Sequence, residues 1–149
     1  MELNKVSADF YFVGTVVKQL QINNNIIVLD DSIEKKMGFD VLDIRVQKEE
    51  KDFLGTAQIG VVVELWNGEN KVSDFQIELE GAFKSPLSVG EERFNELLSL
   101  NGVAALYSIC RAKVETISAT MLFDGKIVLP FINVVDYYKE LNDKKENQE

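Results

Sequence analysis

The chain has 149 residues, 16 Lys and Arg against 25 Asp and Glu, a formal net charge of −9 and no histidine. Without histidine there is no Ser-His-Asp or Cys-His catalysis, no imidazole acid–base chemistry and no histidine-containing metal site. The single cysteine, Cys110, excludes an intrachain disulfide, a CxxC redox pair and a cysteine-rich zinc site.

The length predicts one domain over residues 1–149, large enough to bury a core without staples. The acidic balance argues against a duplex nucleic-acid partner, which needs a basic stripe to neutralise phosphates. Residues 1–9 are mixed and polar, and apolar runs such as Ile26 to Leu29 and Val61 to Val63 fall far short of the ~20 residues of a membrane span. The expectation is a cytoplasmic protein that does not insert in a membrane. Residues from about 143 to 149 contain no apolar side chain and read as a frayed tail.

A first strand is predicted from about Ala8 to Ile22, with Phe10, Phe12, Val16, Leu20 and Ile22 in one phase and Tyr11, Val13, Thr15 and Val17 in the other. Gly14 inside it signals a bulge or bend. Asn23 to Gly38 reads as a long loop carrying Ile26, Ile27, Val28 and Leu29. A second strand covers about Phe39 to Gln47, with Leu42, Ile44 and Val46 on one face and Asp43 and Arg45 on the other. Lys48 to Asp52 is a charged turn. The third strand runs from about Phe53 to Leu65, and Asn67-Gly68 signals a hairpin. The fourth covers about Lys71 to Lys84, with Phe75, Ile77, Leu79 and Phe83 on a buried face and Asp74, Gln76, Glu78 and Glu80 on a wet, acidic one.

Helices follow. Ser88 and Glu91 fit a capping box for a short helix to about Ser99, which Asn101-Gly102 is expected to end. The next helix, about Gly102 to Met121, carries Val103, Leu106, Tyr107, Cys110, Val114, Ile117 and Met121 as one apolar stripe. Ile127 to Ile132 is extended around Pro130, and Asn133 caps a last helix to about Lys144. Strands grouped first and helices last give an α+β fold: a four-stranded antiparallel sheet with a long helix and a shorter C-terminal helix on one face.

Nothing in this pattern carries catalysis. Asp30-Asp31 and Glu91-Glu92 are sequence neighbours rather than a pair set across a cleft, and there is no Gly-rich phosphate loop or EF-hand loop. Cys110 lies in the apolar stripe, where it acts as a small hydrophobe. No cofactor and no metal is implied. Ile26 to Leu29 reads either as a short buried edge strand or as the lining of an apolar groove, and Trp66 as a strand-end core residue or a binding aromatic. The row Asp74, Gln76, Glu78 and Glu80 reads either as an ordinary solvated sheet face or as a docking face for a basic partner.

Three stretches resemble SecB, the bacterial export chaperone, and SecB-like chaperones. Glu80-Gly81-Ala82-Phe83 is similar to the family's Gly-[apolar]-Phe near its fourth strand. Asn101 to Arg111 (NGVAALYSICR) is similar to the Asn-[apolar]-Leu-[aromatic]-Pro-Tyr-x-Arg opening of its long helix, with Ser108 where the family has proline and Ile109 where an aromatic is common. Ile127 to Asn133 (IVLPFIN) is similar to the Leu-x-Pro-[apolar]-Asn lead into its last helix. The order and spacing match over about residues 39–145.

The resemblance implies an ATP-independent holdase for unfolded preproteins or other non-native polypeptides, without enzymatic activity and serving export or a dedicated partner such as an antitoxin. It implies a homotetramer, a dimer of dimers, in which the small residues Ala105, Ser108, Ala112 and Ala119 allow close helix approach; the same residues also fit a half-exposed alanine-rich helix face. It implies docking of the SecA motor on the acidic sheet face, with Gln76 standing where the family has a glutamate. The client groove is then expected from Ile26, Ile27, Val28, Leu29, Trp66, Phe123 and Phe131. The alternative is a small-ligand-binding module or minor enzyme with an enclosed apolar cavity, and a third is a subunit-interface protein with no client of its own.

Overall fold

A computed structural model describes residues 2, 9–26 and 28–146. Four antiparallel strands, β1 (Tyr11–Asn24), β2 (Glu34–Lys48), β3 (Asp52–Asn67) and β4 (Asn70–Pro86), form one sheet in the order β1-β4-β3-β2. The loop between β1 and β2 spans residues 25–33, shorter than the sequence suggests, because both strands run past their expected ends.

The central strands keep a strict period of two. Ala57, Ile59, Val61, Val63 and Leu65 of β3 and Phe75, Ile77, Leu79 and Phe83 of β4 are buried on one face. Asp74, Gln76, Glu78 and Glu80 lie half-buried on the other. Between Asn67 and Asn70 only Gly68 has a positive φ, of 61°, the pattern of a two-residue II′ turn with glycine first.

Both edge strands carry bulges that change which face their side chains take. In β1 the register with β4 slips at Val13 and again at Lys18, so Phe12, Thr15, Val17, Leu20 and Ile22 share the helix-side face while Val16 turns to the outer face beside Glu80. The single phase expected for Phe12, Val16 and Leu20 is therefore corrected, and the bulge expected near Gly14 is present. In β2 the slip at Leu42 leaves Val41, Ile44 and Val46 on the core side and puts Leu42 over Gly60 on the outer face. One inserted residue flips all that follow.

After a 3-10 turn at Leu87–Val89, α1 (Glu91–Leu97), a π turn (Leu98–Gly102) and α2 (Val103–Met121) run as one helix. Neither the Ser88 capping box nor the stop expected at Asn101-Gly102 is present. Gly90 is the N-cap of α1 and makes no side-chain hydrogen bond, and Asn101-Gly102 does not end the helix. Gly102 is helical and buried, and a Cβ there would stand 3.3–3.4 Å from Leu98, Phe10 and Phe83, a tight fit. Its missing side chain lets the helix lie on the sheet, and that packing outweighs the local propensity of Asn-Gly. Gly55 works the same way from below: a Cβ would meet Leu98 at 2.6 Å.

The predicted stripe of α2 is real: Val103, Leu106, Tyr107, Cys110 and Val114 are buried, with Ile117 and Met121 packed against the core from its margin. The last helix, α3 (Val134–Glu146), is capped by Asn133, whose Oδ1 accepts the N–H groups of Val135 (3.0 Å) and Asp136 (3.4 Å). It continues to Glu146, so the first residues of the expected tail are helical.

Candidate functional site

Between α2 and α3 the chain crosses back as an extended strap over residues 122–133, outside any strand. Ile127 and Leu129 point into the core, and one face of α2 holds the strap backbone turn by turn. The Tyr107 hydroxyl donates to the Pro130 carbonyl (2.7 Å) and Arg111 Nε to the Leu129 carbonyl (2.9 Å). The buried Ser118 hydroxyl accepts the Ile127 N–H (2.7 Å) and donates to the Glu115 carbonyl (3.2 Å). Lys126 pairs with Glu115 at 2.9 Å and holds that carboxyl below the usual carboxylate range. Spacings of three and four residues place these groups along one helix face.

This clamp leaves two aromatic side chains outside. Phe123 is 87% exposed and Phe131 86% exposed. The Arg111 guanidinium, already fixed on the strap, sits 4.0 Å from the centre of the Phe131 ring, so that ring is displayed on a rigid support.

The expected apolar quartet divides. Ile26 and Leu29 pack against the core, and Val28 is 42% exposed. Val28 bridges to Asp124 of the strap, the Leu29 N–H donates to the Asp124 carbonyl (3.1 Å), and the Asn24 side-chain amide ties the Ile26 and Met121 carbonyls. Ile27 lies outside the described residues. Val28 and Phe123 are thus brought to one end of the strap and Phe131 stands near the other. Trp66 does not join them. It lies on the outer sheet face, its indole donating to Glu64 (3.1 Å) with Lys36 4.4 Å from the ring centre.

Asp74, Gln76, Glu78 and Glu80 do share a face, but the carboxylates there are already met. Lys71 lies between Glu64 (3.7 Å) and Asp74 (3.5 Å), Asn23 donates to Asp74 (2.9 Å), Gln58 donates to Glu78 (3.1 Å), and Lys18 stands 4.0 Å from Glu80. Ala105, Ser108, Ala112 and Ala119 form an exposed row on α2. Ala112 also lines a groove of about 500 Å³ with Val17, Ile109, Lys113, Thr116 and Ile117, between α2 and β1. This hollow is an open groove rather than an enclosed cavity. Cys110 is fully buried, and burial pushes its thiol up to about 11, which keeps it protonated and unreactive.

β1 supplies a feature the sequence reading missed. Tyr11, Phe12, Val13, Val16, Val17 and Leu20 are 43 to 56% exposed, on both faces of the sheet edge. The signal was present, since this strand is apolar in both phases. Its location at an edge, beyond the reach of the helices, is what turns that pattern into surface.

Among the described residues no helix is long and apolar enough to cross a membrane, and no cluster of His, Cys, Asp and Glu could hold a metal ion. No family model matches the sequence, and no curated protein matches it. Among solved structures the fold is similar to the SecB-like chaperone of Mycobacterium tuberculosis, in complex with a ChAD peptide from the HigA1 antitoxin. The TM-score is 0.62 at 15% identity, over 83% of this chain and 91% of that one. The chain has a SecB-like α+β fold.

Proposed function

We propose that this protein is an ATP-independent chaperone that holds non-native polypeptides and acts as a homotetramer. The observation that carries the reading is apolar surface on a well-packed frame: the strap shows Phe123 and Phe131 almost fully to solvent while polar clamps hold it still. A protein with no client gains nothing from such exposure, because large exposed aromatics invite association. The similar mycobacterial chaperone is seen with an antitoxin peptide, which supports a polypeptide ligand.

Client contact falls to Val28, Phe123 and Phe131. The net charge of −9 keeps such a surface soluble and favours clients with basic segments. Assembly falls to β1 and to the α2 row Ala105, Ser108, Ala112 and Ala119, which together flank the open groove. Several copies then present several weak sites to one chain, and avidity replaces local affinity.

A dedicated partner such as an antitoxin fits better than SecA-linked export. The acidic face that would receive a motor is partly offset by Lys18 and Lys71, which stand among Glu64, Asp74, Glu78 and Glu80, and Gln76 at its middle carries no charge. The test is suppression of aggregation of an unfolded protein at equimolar chaperone. The wild type is expected to suppress it, and Phe123→Ser with Phe131→Ser to lose most of the effect while keeping the fold. No suppression by the wild type would end the reading.

A further inference from the structure

We propose that Asp124-Gly125 is a site of spontaneous isoaspartate formation, and that the change frees one end of the strap from the loop between β1 and β2. This goes beyond the holdase reading and does not depend on it. Glycine follows Asn or Asp at three places in the chain: Asn67-Gly68, Asn101-Gly102 and Asp124-Gly125. Such pairs react because glycine has no Cβ to keep its backbone nitrogen away from the preceding side chain. The fold treats the three differently. Gly102 is buried and helical, so its nitrogen is held within the helix. Asn67 closes β3 and pairs with Asn70, and among the described residues no hydrogen bond brings its side chain to the Gly68 nitrogen.

At Asp124-Gly125 the reacting groups already touch. Both residues are exposed and lie outside any strand, and the Gly125 N–H donates to the Asp124 Oδ1 at 2.9 Å. The neighbouring Lys126 is taken by Glu115. In the reaction the Gly125 nitrogen attacks Cγ of the protonated Asp124 carboxyl. An N–Cγ bond forms, the nitrogen gives up its proton, and the carboxyl hydroxyl leaves with it as water, closing a succinimide. Water then opens the ring. Cleavage between nitrogen and Cγ restores aspartate. Cleavage between nitrogen and the α-carbonyl gives isoaspartate, which adds Cβ to the main chain and leaves the α-carboxylate free. One water leaves and one returns, and no oxidant or reductant takes part. Holding the two groups together is what the fold supplies.

The site lies at a joint. The Asp124 carbonyl accepts the Leu29 N–H (3.1 Å), and Val28 bridges to the same residue. Gly125 packs so closely that a Cβ on it would stand 3.0 Å from the Leu29 Cβ and 3.1 Å from the Leu29 carbonyl oxygen. Isomerisation turns the accepting carbonyl into a carboxylate and lengthens the chain where there is no room beside Leu29. This end of the strap then comes away, and Phe123 with it. The rest stays, because Ser118, Arg111 and Tyr107 hold Ile127, Leu129 and Pro130.

The test ages the folded, full-length protein in mildly acidic buffer and maps it with trypsin. Isoaspartate is counted by methyl transfer from S-adenosylmethionine with an isoaspartyl methyltransferase. The 114–126 peptide is expected to gain label with no change in mass, about threefold to tenfold faster than a synthetic peptide of the same sequence aged beside it. In Asp124→Glu, where a larger ring would have to close, that peptide is expected to stay unlabelled. In the isomerised fraction the Leu29 amide is expected to exchange faster, while the Ile127 amide keeps its protection. Label confined to the 52–71 peptide, where it reports Asn67, overturns the site. So does no label at all, or slower labelling in the protein than in the peptide. An unchanged Leu29 amide overturns the release. The wild-type map needs no variant, so the test stands if Asp124→Glu fails to fold.

Discussion

β1 and β2 both end the sheet, yet their surfaces have little in common. β1 carries one charged residue, Lys18, and six half-exposed large apolar side chains on its two faces. β2 carries Glu34, Lys35, Lys36, Asp40, Asp43, Arg45 and Lys48, and its Val41 amide is covered by a tyrosine from α3. Natural sheets blunt their edges with charges, bulges and covering elements. β2 uses all three, whereas β1 has its bulges but little charge, and an open groove separates it from α2. An edge left apolar in an otherwise acidic protein is a surface suited to association, and under the proposed reading assembly falls to β1.

The sharpest way to break this comparison is to charge β1. Val16→Asp with Leu20→Asp should take the particle in solution from about four protomers to two or fewer, read by light scattering after size exclusion. The matched change on β2, Asp40→Lys with Asp43→Lys, should leave the mass unchanged. A monomeric wild type, or a β1 variant that keeps its mass, would erase the distinction.

A smaller effect is expected on the β2 side, where polar clamps rather than apolar area fix the strap. Ser118→Ala leaves the buried Ile127 N–H without an acceptor and should cost about 1–3 kcal/mol in urea unfolding. A cost near zero would mean that burial of Ile127 and Leu129 alone holds the strap. The smallest effect belongs to a surface charge of β2. Lys36→Ala removes the cation over Trp66 on an exposed strand and should cost only about 0.5–1 kcal/mol. A loss of several kcal/mol would show that β2 is held by its charges rather than merely protected by them.

The centre of the fold was legible in the residues. β3 and β4 alternate over 53–65 and 73–85 because each has one face on the helices and one away from them, and the α2 stripe follows from the same requirement at helical spacing. The edges were less legible. Bulges at Val13, Lys18 and Leu42 leave no local mark beyond Gly14, yet each reverses the facing of its neighbours. Asn101-Gly102 resembles a stop in any sequence, and the close packing of Leu98, Phe10 and Phe83 around Gly102 is visible only in the folded chain. Of the candidate client residues, Phe123 and Phe131 are exposed as a binding role requires, while Trp66 faces the other side of the sheet because side chains alternate from the buried Leu65.

The sequence by itself determined the chemistry this protein lacks, the strand-then-helix order and the apolar faces of its central elements, because composition and periodicity are local properties. The tertiary structure decided which strand lies at an edge, which apolar side chains the helices fail to reach, and which backbone groups Tyr107, Arg111, Ser118, Tyr137 and Tyr138 find. Those outcomes depend on contacts between residues far apart in the chain, and no short window of sequence contains both partners.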